Sequence, residues 1–150
     1  MPKPFPLQTL LDLARSDSDN AAARLGALNG HDREMEERLR LLLDYRGEYT
    51  AHLARIARIG MSSVDWRNYR EFIDKIDAAI AQQREAVAQA KHGVEAGQHH
   101  WHAQQRKLKS FDTLSQRHRL VQLRHEFRQE QKEQDDFALK GFLGGRMAMG

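Results

Sequence analysis

The stretch Ile59-Gly60-Met61-Ser62-Ser63 decides the fold, because two long helical patterns meet there and the chain has to turn. Gly60 can adopt the left-handed backbone conformation that ends many helices. Ser62 is followed three residues later by Asp65, and this S-x-x-D pattern is typical of a helix start. The stretch therefore predicts the end of one helix, a short turn and the start of a second helix.

On both sides of this turn, apolar residues recur with the seven-residue period of coiled coils. In the first helix only a few seam positions are polar, among them Asp32 and Arg46. The d positions of the first helix are Leu7, Ala14, Ala21, Leu28, Met35, Leu42, Tyr49 and Ile56. The a positions of the second helix are Ile73, Ile80, Val87, Val94, Trp101 and Leu108, and its d positions include Tyr69, Ile76, Gln83, Ala90, Gly97 and Phe111.

A short turn between two long helices makes them antiparallel neighbours, and facing residues then have numbers that sum to about 122. No proline follows Pro6, so no residue of that kind breaks either helix. The predicted fold is all-α: one helical-hairpin domain, residues 1–150, formed by a long antiparallel two-helix coiled coil. We expect helix 1 over about 7–59, the turn over about 60–63 and helix 2 over about 64–140, with a flexible Gly-rich tail at 141–150.

The second helix is predicted to be longer than the first. In the register set by the turn, Leu7 faces Ser115, and residues beyond about 116 have no partner in their own chain. We call these residues the overhang. An isolated helix is marginally stable in water, so the overhang is expected either to pack on another surface or to fray.

Composition excludes several classes of chemistry. The 150 residues contain no cysteine, which excludes disulfides, thiolate zinc sites, iron–sulfur clusters and cysteine nucleophiles. The glycine-rich phosphate loops and the G-x-S-x-G motif are missing, and a helical hairpin offers no enclosed pocket. We therefore expect no enzymatic activity, no cofactor and no small-molecule substrate. No apolar run is long enough to span a bilayer, so a cytosolic location is expected.

His99, His100 and His102 flank Trp101, and Glu95 lies on the same helical face as two of them. No glutamate is followed by histidine at i+3, the spacing that di-iron helical bundles use. A structural or solvated role is therefore predicted for these histidines, with no metal site.

Residues 103–125 carry the most one-sided charge of the chain. The stretch contains one acid, Asp112, and six basic residues: Arg106, Lys107, Lys109, Arg117, Arg119 and Arg124. Phe111 is its one aromatic residue and it contains no recognised nucleic-acid motif, so an acidic protein surface is favoured as its partner over nucleic acid or a plain solvated face.

Near the turn, the apolar face is wider than a two-helix seam needs. Two interpretations are open for this stripe: a surface that docks a partner, or tighter packing of the hairpin near its turn. The stripe consists of Phe72, Ile76, Ala79 and Gln83, with Tyr45 and Tyr49 facing the same region.

Three segments carry more than a heptad pattern: Leu7–Ala14, Leu43–Tyr49 and Trp66–Ile73. The second and third read D-Y-x-x-E-Y followed by W-x-N-Y-x-x-F-I, which a heptad repeat alone does not produce. Over roughly residues 7–140 the sequence resembles the FliJ family of flagellar export proteins. The Gly-rich end from Gly141 departs from the charged tail expected of that family.

The resemblance implies a non-catalytic component of the flagellar type III export apparatus, folded like the central stalk of rotary ATP synthases. It would be cytoplasmic, peripheral to the inner membrane at the flagellar base, and needed for flagellum assembly, motility and chemotaxis. The implied partners are the export ATPase hexamer, the cytoplasmic domain of the export-gate membrane protein, and the export chaperones that it helps to recycle.

The resemblance also implies two binding surfaces. Both chain termini of the coiled coil would enter the pore of the ATPase ring, while the wide stripe would contact the gate. The gate-binding residues would be Tyr45, Tyr49, Phe72, Ile76, Ala79 and Gln83. The ATPase-binding residues would be Leu7, Leu10, Leu11, Arg117, Arg119 and Arg124.

Two other functions are compatible with the residues. One is a coiled-coil stalk of a virulence-type secretion system, which would not be expected to carry the W-x-N-Y-x-x-F-I signature. The other is a basic helical hairpin that binds RNA or acidic lipid, in which case binding would fall steeply with salt and be insensitive to Phe72→Ala.

Overall fold

The computed structural model describes residues 3–148, and two helices account for nearly all of them. Helix α1 spans Gln8–Ile59 and helix α2 spans Ser63–Ala148. No β-strand occurs in the described part of the chain. The predicted all-α hairpin is confirmed, and α1 begins one residue later than expected.

The turn has the geometry that its sequence predicts. Gly60 adopts a φ of 119°, in the left-handed region that favours glycine, and its N–H donates to the carbonyl oxygen of Ile56 at 3.2 Å. The hydroxyl of Ser62 accepts a hydrogen bond from the backbone N–H of Asp65 at 3.2 Å. These bonds satisfy backbone groups at the end of α1 and the start of α2. They therefore determine where α1 ends and where α2 begins.

The contacts between the helices divide the chain into two compact units, Asp19–Ala103 and the segments on either side of it. Within Asp19–Ala103 the helices run antiparallel, and a core of Met35, Val87 and Ala90 packs against Leu39 and Ala86. The predicted seam positions are buried or half-buried throughout this unit. The heptad pattern is therefore confirmed.

Polar seam residues in this unit are paired across the helices. Arg46 forms an ion pair with Asp77, and Lys91 bonds to Glu36 and lies 3.9 Å from Asp32 Oδ1. A polar side chain in a coiled-coil seam favours one register over its alternatives, because any shift leaves it without its partner. We infer that these pairs help to hold the hairpin in register.

In the other unit, Leu11, Ala14 and Ser18 are buried on the α1 side of the seam. The chain before α1 continues this packing. The Phe5 ring lies 5.5 Å from the His118 ring, and His118 Nε2 lies 3.0 Å from the Lys3 carbonyl oxygen.

The free part of the overhang therefore starts later than the expected 116. Gln122 is the last half-buried residue, and every side chain from Leu123 to Arg146 is exposed. Residues ahead of Gln8 are not helical, so each covers up to about 3.3 Å of α2, against 1.5 Å for a helical residue. This greater reach supports more of α2 than two helices of matched pitch would.

Helix α2 continues to Ala148, whereas the sequence predicted a flexible tail from 141. The reason is energetic: a glycine inside a helix costs about 1 kcal/mol relative to alanine, and only proline ends a helix outright. The last two residues of the predicted tail, 149–150, lie outside the described range. No helix within residues 3–148 is both long and apolar enough to cross a membrane.

Candidate functional site

Four aromatic side chains form a cluster across the helices near the turn. The rings of Tyr49 and Phe72 are 4.6 Å apart, and Tyr49 lies 5.6 Å from Tyr69. Tyr45 meets Phe72 edge-on at 6.4 Å, with an interplanar angle of 73°. Edge-to-face contacts of this kind stabilise aromatic pairs beyond their burial. The cluster therefore gives this part of the hairpin a rigid aromatic side.

Partial burial, followed by the neighbouring Tyr69 and Tyr45 phenols, raises the pKa of Tyr49 above its usual value. Tyr49 is thus neutral at physiological pH and presents an uncharged hydroxyl. Tyr45 and Phe72 are the more exposed members, with Phe72 37% exposed. We call Tyr45, Tyr49 and Phe72 the aromatic surface.

The other three residues of the expected gate-binding stripe lie in the seam or at its edge. Ile76 is only 6% exposed, and Ala79 is half-buried. Gln83 Nε2 donates to the Met35 carbonyl oxygen at 2.9 Å, so its amide is occupied within the hairpin. Of the expected gate-binding residues, Phe72 and Tyr45 are thus the exposed ones, whereas Ile76 is buried.

The three expected ATPase-binding leucines at and just before the start of α1 also differ in burial. Leu11 is 1% exposed and belongs to the packed seam, and Leu7 is half-buried. Leu10 is 44% exposed. Of the three leucines, Leu10 is thus the one whose side chain another molecule can reach.

On α2, the expected arginines Arg117, Arg119 and Arg124 are exposed and lie beside an apolar stripe that the sequence analysis missed. Leu120, Leu123 and Phe127 are all exposed and follow the i, i+3, i+7 spacing of one helical face. We call these three residues and the arginines that border them, Arg124 and Arg128, the overhang groove; they line a shallow depression. The sequence does show this spacing, but the three residues lie on a different face of the helix from the heptad seam.

The end of the hairpin carries a second surface that was missed. Ile59, Val64 and Trp66 are exposed around the turn. Four arginines surround them, and all four are exposed: Arg55, Arg58, Arg67 and Arg70. We call these seven residues the hairpin tip. The sequence does contain a signal for this basic surface, because Asp65 is the single acidic residue between Glu48 and Glu71.

His99, His100 and His102 lie exposed on α2. Among the residues that the structure describes, no group of three or more histidine or carboxylate side chains is arranged to hold a metal ion. The histidines are thus side chains at the surface of the helix.

Comparison with known proteins gives a consistent result over almost the whole chain. The model of the family described as "Flagellar FliJ protein" matches residues 2–146. The chain is 35% identical to the flagellar FliJ protein of Salmonella typhi over 137 residues, covering 91% of this chain and 93% of the relative. It is 34% identical to the flagellar FliJ protein of Escherichia coli strain K12, with the same coverage.

Among solved structures, similarity extends to a putative YscO homolog, CT670, from Chlamydia trachomatis. The TM-score is 0.44 and the sequence identity is 21%, with 91% of this chain and 93% of the other covered.

Proposed function

The chain belongs to the FliJ family of flagellar proteins, and from that membership we propose that it is a non-catalytic stalk of the flagellar export machinery. In this role it couples the export ATPase ring to the export gate and serves flagellum assembly, motility and chemotaxis. Its partners are the ATPase hexamer, the cytoplasmic domain of the gate protein, and the export chaperones whose recycling it assists.

The observation that carries this proposal is the exposed end of α2. From Leu123 to Arg146 every side chain of the helix is exposed. A helix without tertiary packing is marginally stable, so this segment gains stability when a partner surrounds it. A pore formed by a ring of subunits contacts an inserted helix from all sides, which is what this segment lacks in its own chain.

The chemistry of the overhang groove supports the same assignment. Leu120, Leu123 and Phe127 offer apolar anchors, while Arg124 and Arg128 border them. Apolar anchors with a charged rim are typical of protein–protein interfaces. The groove therefore suits a protein surface that combines apolar and acidic residues, and we assign the ATPase ring to it, together with Leu10 and the neighbouring Arg117 and Arg119.

We assign the gate to the aromatic surface. Tyr45 and Phe72 are exposed but held in place by ring contacts, so little side-chain freedom is lost when a partner binds. Rigid aromatic residues are frequent binding hot spots. With these partners the protein is placed in the cytoplasm, peripheral to the inner membrane at the flagellar base. The chaperone role rests on family resemblance alone.

The proposal is tested by ATP turnover of a purified flagellar export ATPase, with and without this protein. The wild-type chain is expected to raise turnover. The double variant Leu123→Ser/Phe127→Ser removes two anchors of the overhang groove and is expected to reduce the stimulation by about tenfold or more.

The matched control is Leu41→Ser/Leu43→Ser, which removes two exposed leucines from α1. It is expected to stimulate like the wild type, with circular dichroism showing unchanged helix content for both variants. If wild type fails to stimulate the ATPase, or both variants lose stimulation equally, the overhang groove is not the ATPase-binding surface.

A further inference from the structure

The hairpin tip exposes an unusual combination of side chains. Ile59, the last residue of α1, is 89% exposed. In the first turn of α2, Val64 is 63% exposed and Trp66 is 48% exposed. Burying such side chains against another surface removes apolar area from water, which favours association. Three such side chains around one turn therefore form an apolar end with no cover from the chain itself.

Around this end four exposed arginines outnumber one exposed acid, Asp65. Arg55 and Arg58 lie in the last turns of α1, and Arg67 and Arg70 lie in the first turns of α2. None of these four arginines forms a salt bridge with a carboxylate within residues 3–146. The free cations favour an anionic partner that contacts both helix ends at once.

The tip projects outward from a turn, with apolar groups at its end and cations behind them. A bilayer surface accepts such an arrangement without a matching cavity: Trp and aliphatic side chains enter the interfacial region, and arginines bind lipid phosphates. A protein partner would have to provide a concave acidic pocket of matching shape.

From this complementarity we propose that the hairpin tip is a membrane-docking element that binds anionic phospholipid. Binding is interfacial and reversible, because three apolar side chains and four arginines attach a protein to a bilayer surface without spanning it. The inference does not depend on the ATPase or gate assignments, and its test uses neither partner.

The test is co-sedimentation of the purified full-length chain with vesicles of phosphatidylcholine alone or with about 30% phosphatidylglycerol. Wild type is expected to bind the anionic vesicles, to bind neutral vesicles weakly, and to dissociate as salt is raised. In a Trp101→Phe background, Trp66 is the remaining tryptophan, and brominated lipid is expected to quench its fluorescence.

Two sets of variants separate the tip from general charge. Replacing Arg55, Arg58, Arg67 and Arg70 by glutamine is expected to weaken binding by about tenfold or more. The control replaces four other exposed arginines that lack carboxylate partners within the described range, Arg24, Arg33, Arg84 and Arg106, by glutamine. It makes the same change in net charge and is expected to alter binding by less than about twofold.

The apolar part is tested by Ile59→Ser/Trp66→Ser against Leu41→Ser/Leu43→Ser, and only the first pair is expected to reduce binding. Equal losses in both arginine sets would show non-specific attraction and overturn the proposal. So would binding to an acidic protein without binding to anionic vesicles, or the absence of quenching at Trp66.

Discussion

Arg46 on α1 and Asp77 on α2 form a two-point ion pair across the hairpin, with Nε donating to Oδ1 and Nη2 donating to Oδ2 at 3.3 Å. Both side chains remain partly exposed, so the pair is screened by water. Its importance lies in geometry, because two parallel hydrogen bonds specify how the two helices face each other.

The hydrogen bond from Arg46 lowers the pKa of Asp77; partial burial opposes this shift, and the charge of Arg46 adds a smaller lowering. A carboxyl group whose pKa is lowered on folding stabilises the fold above its ordinary pKa, about 3.9, and this contribution is lost as the pH falls through the lowered value. We therefore expect Asp77→Asn to lower the melting temperature at pH 7 by no more than about 4 °C.

The same comparison at low pH, below the lowered pKa of Asp77, is expected to show no difference between the variant and wild type, because Asp77 is then protonated in both the folded and unfolded states. Thermal melts followed by circular dichroism at both pH values measure this. A difference that persists at low pH would mean that Asp77 acts through packing rather than through its charge.

Glycines within the helices test how closely α1 and α2 pack. A Cβ at Gly26 would have no neighbour within 4 Å, whereas a Cβ at Gly97 would lie 2.6 Å from Leu28 Cδ1. Gly26→Ala is expected to stabilise the protein by about 0.5–1 kcal/mol, since alanine favours the helix. Gly97→Ala is expected to gain less or to destabilise, because Leu28 has to move. Urea unfolding of both variants measures the contrast, and equal gains would contradict the close approach at Gly97.

Much of the fold follows from the sequence because a heptad pattern reports burial directly. Residues at a and d, such as Met35 and Val87, are buried because the facing helix covers those positions. The turn was equally readable, since Gly60 and Ser62 act on the backbone within a few residues. The turn and the regular seam are therefore the parts of this fold that the sequence specifies by itself.

The candidate sites were less predictable, for two physical reasons. Family resemblance places both Phe72 and Ile76 at the gate, yet Ile76 occupies a d position, and seam packing buries it. The contact of Phe5 with His118 was missed because the heptad pattern begins only at Leu7. Apolar residues such as Phe127 fit no seam. They can be recognised as a candidate interaction surface only when their exposure is known.

Leu10 and Leu11 are neighbours in sequence with opposite environments, which separates binding from stability at the start of α1. Leu11 is 1% exposed, so Leu11→Ala is expected to cost about 2–5 kcal/mol of unfolding free energy. Leu10 is 44% exposed, and Leu10→Ala is expected to change stability by no more than about 0.5 kcal/mol.

If the ATPase binds this segment, Leu10→Ala is expected to weaken binding to the ATPase while the melting temperature stays the same. Chemical denaturation and a direct binding assay, carried out on both variants, distinguish the effects. Loss of binding in Leu11→Ala alone, accompanied by a lower melting temperature, would place the contact elsewhere on the chain.

The aromatic surface allows the same separation for the gate. Ile76 is 6% exposed and packs in the seam, so Ile76→Ala is expected to destabilise the hairpin by about 2–5 kcal/mol. Phe72→Ala combined with Tyr45→Ala is expected to cost less than that per residue, because Phe72 is 37% exposed and Tyr45 is 49% exposed.

Binding of these variants to the purified cytoplasmic domain of the export gate decides whether the aromatic surface is the contact. The double variant is expected to lose about tenfold or more in affinity, the magnitude typical of aromatic hot spots. Leu13→Ala, which removes an exposed leucine near the start of α1, is the control and is expected to bind normally. If Ile76→Ala weakens binding while the double variant binds like wild type, the gate recognises the packed hairpin as a whole, and Phe72 and Tyr45 serve only to hold the two helices together.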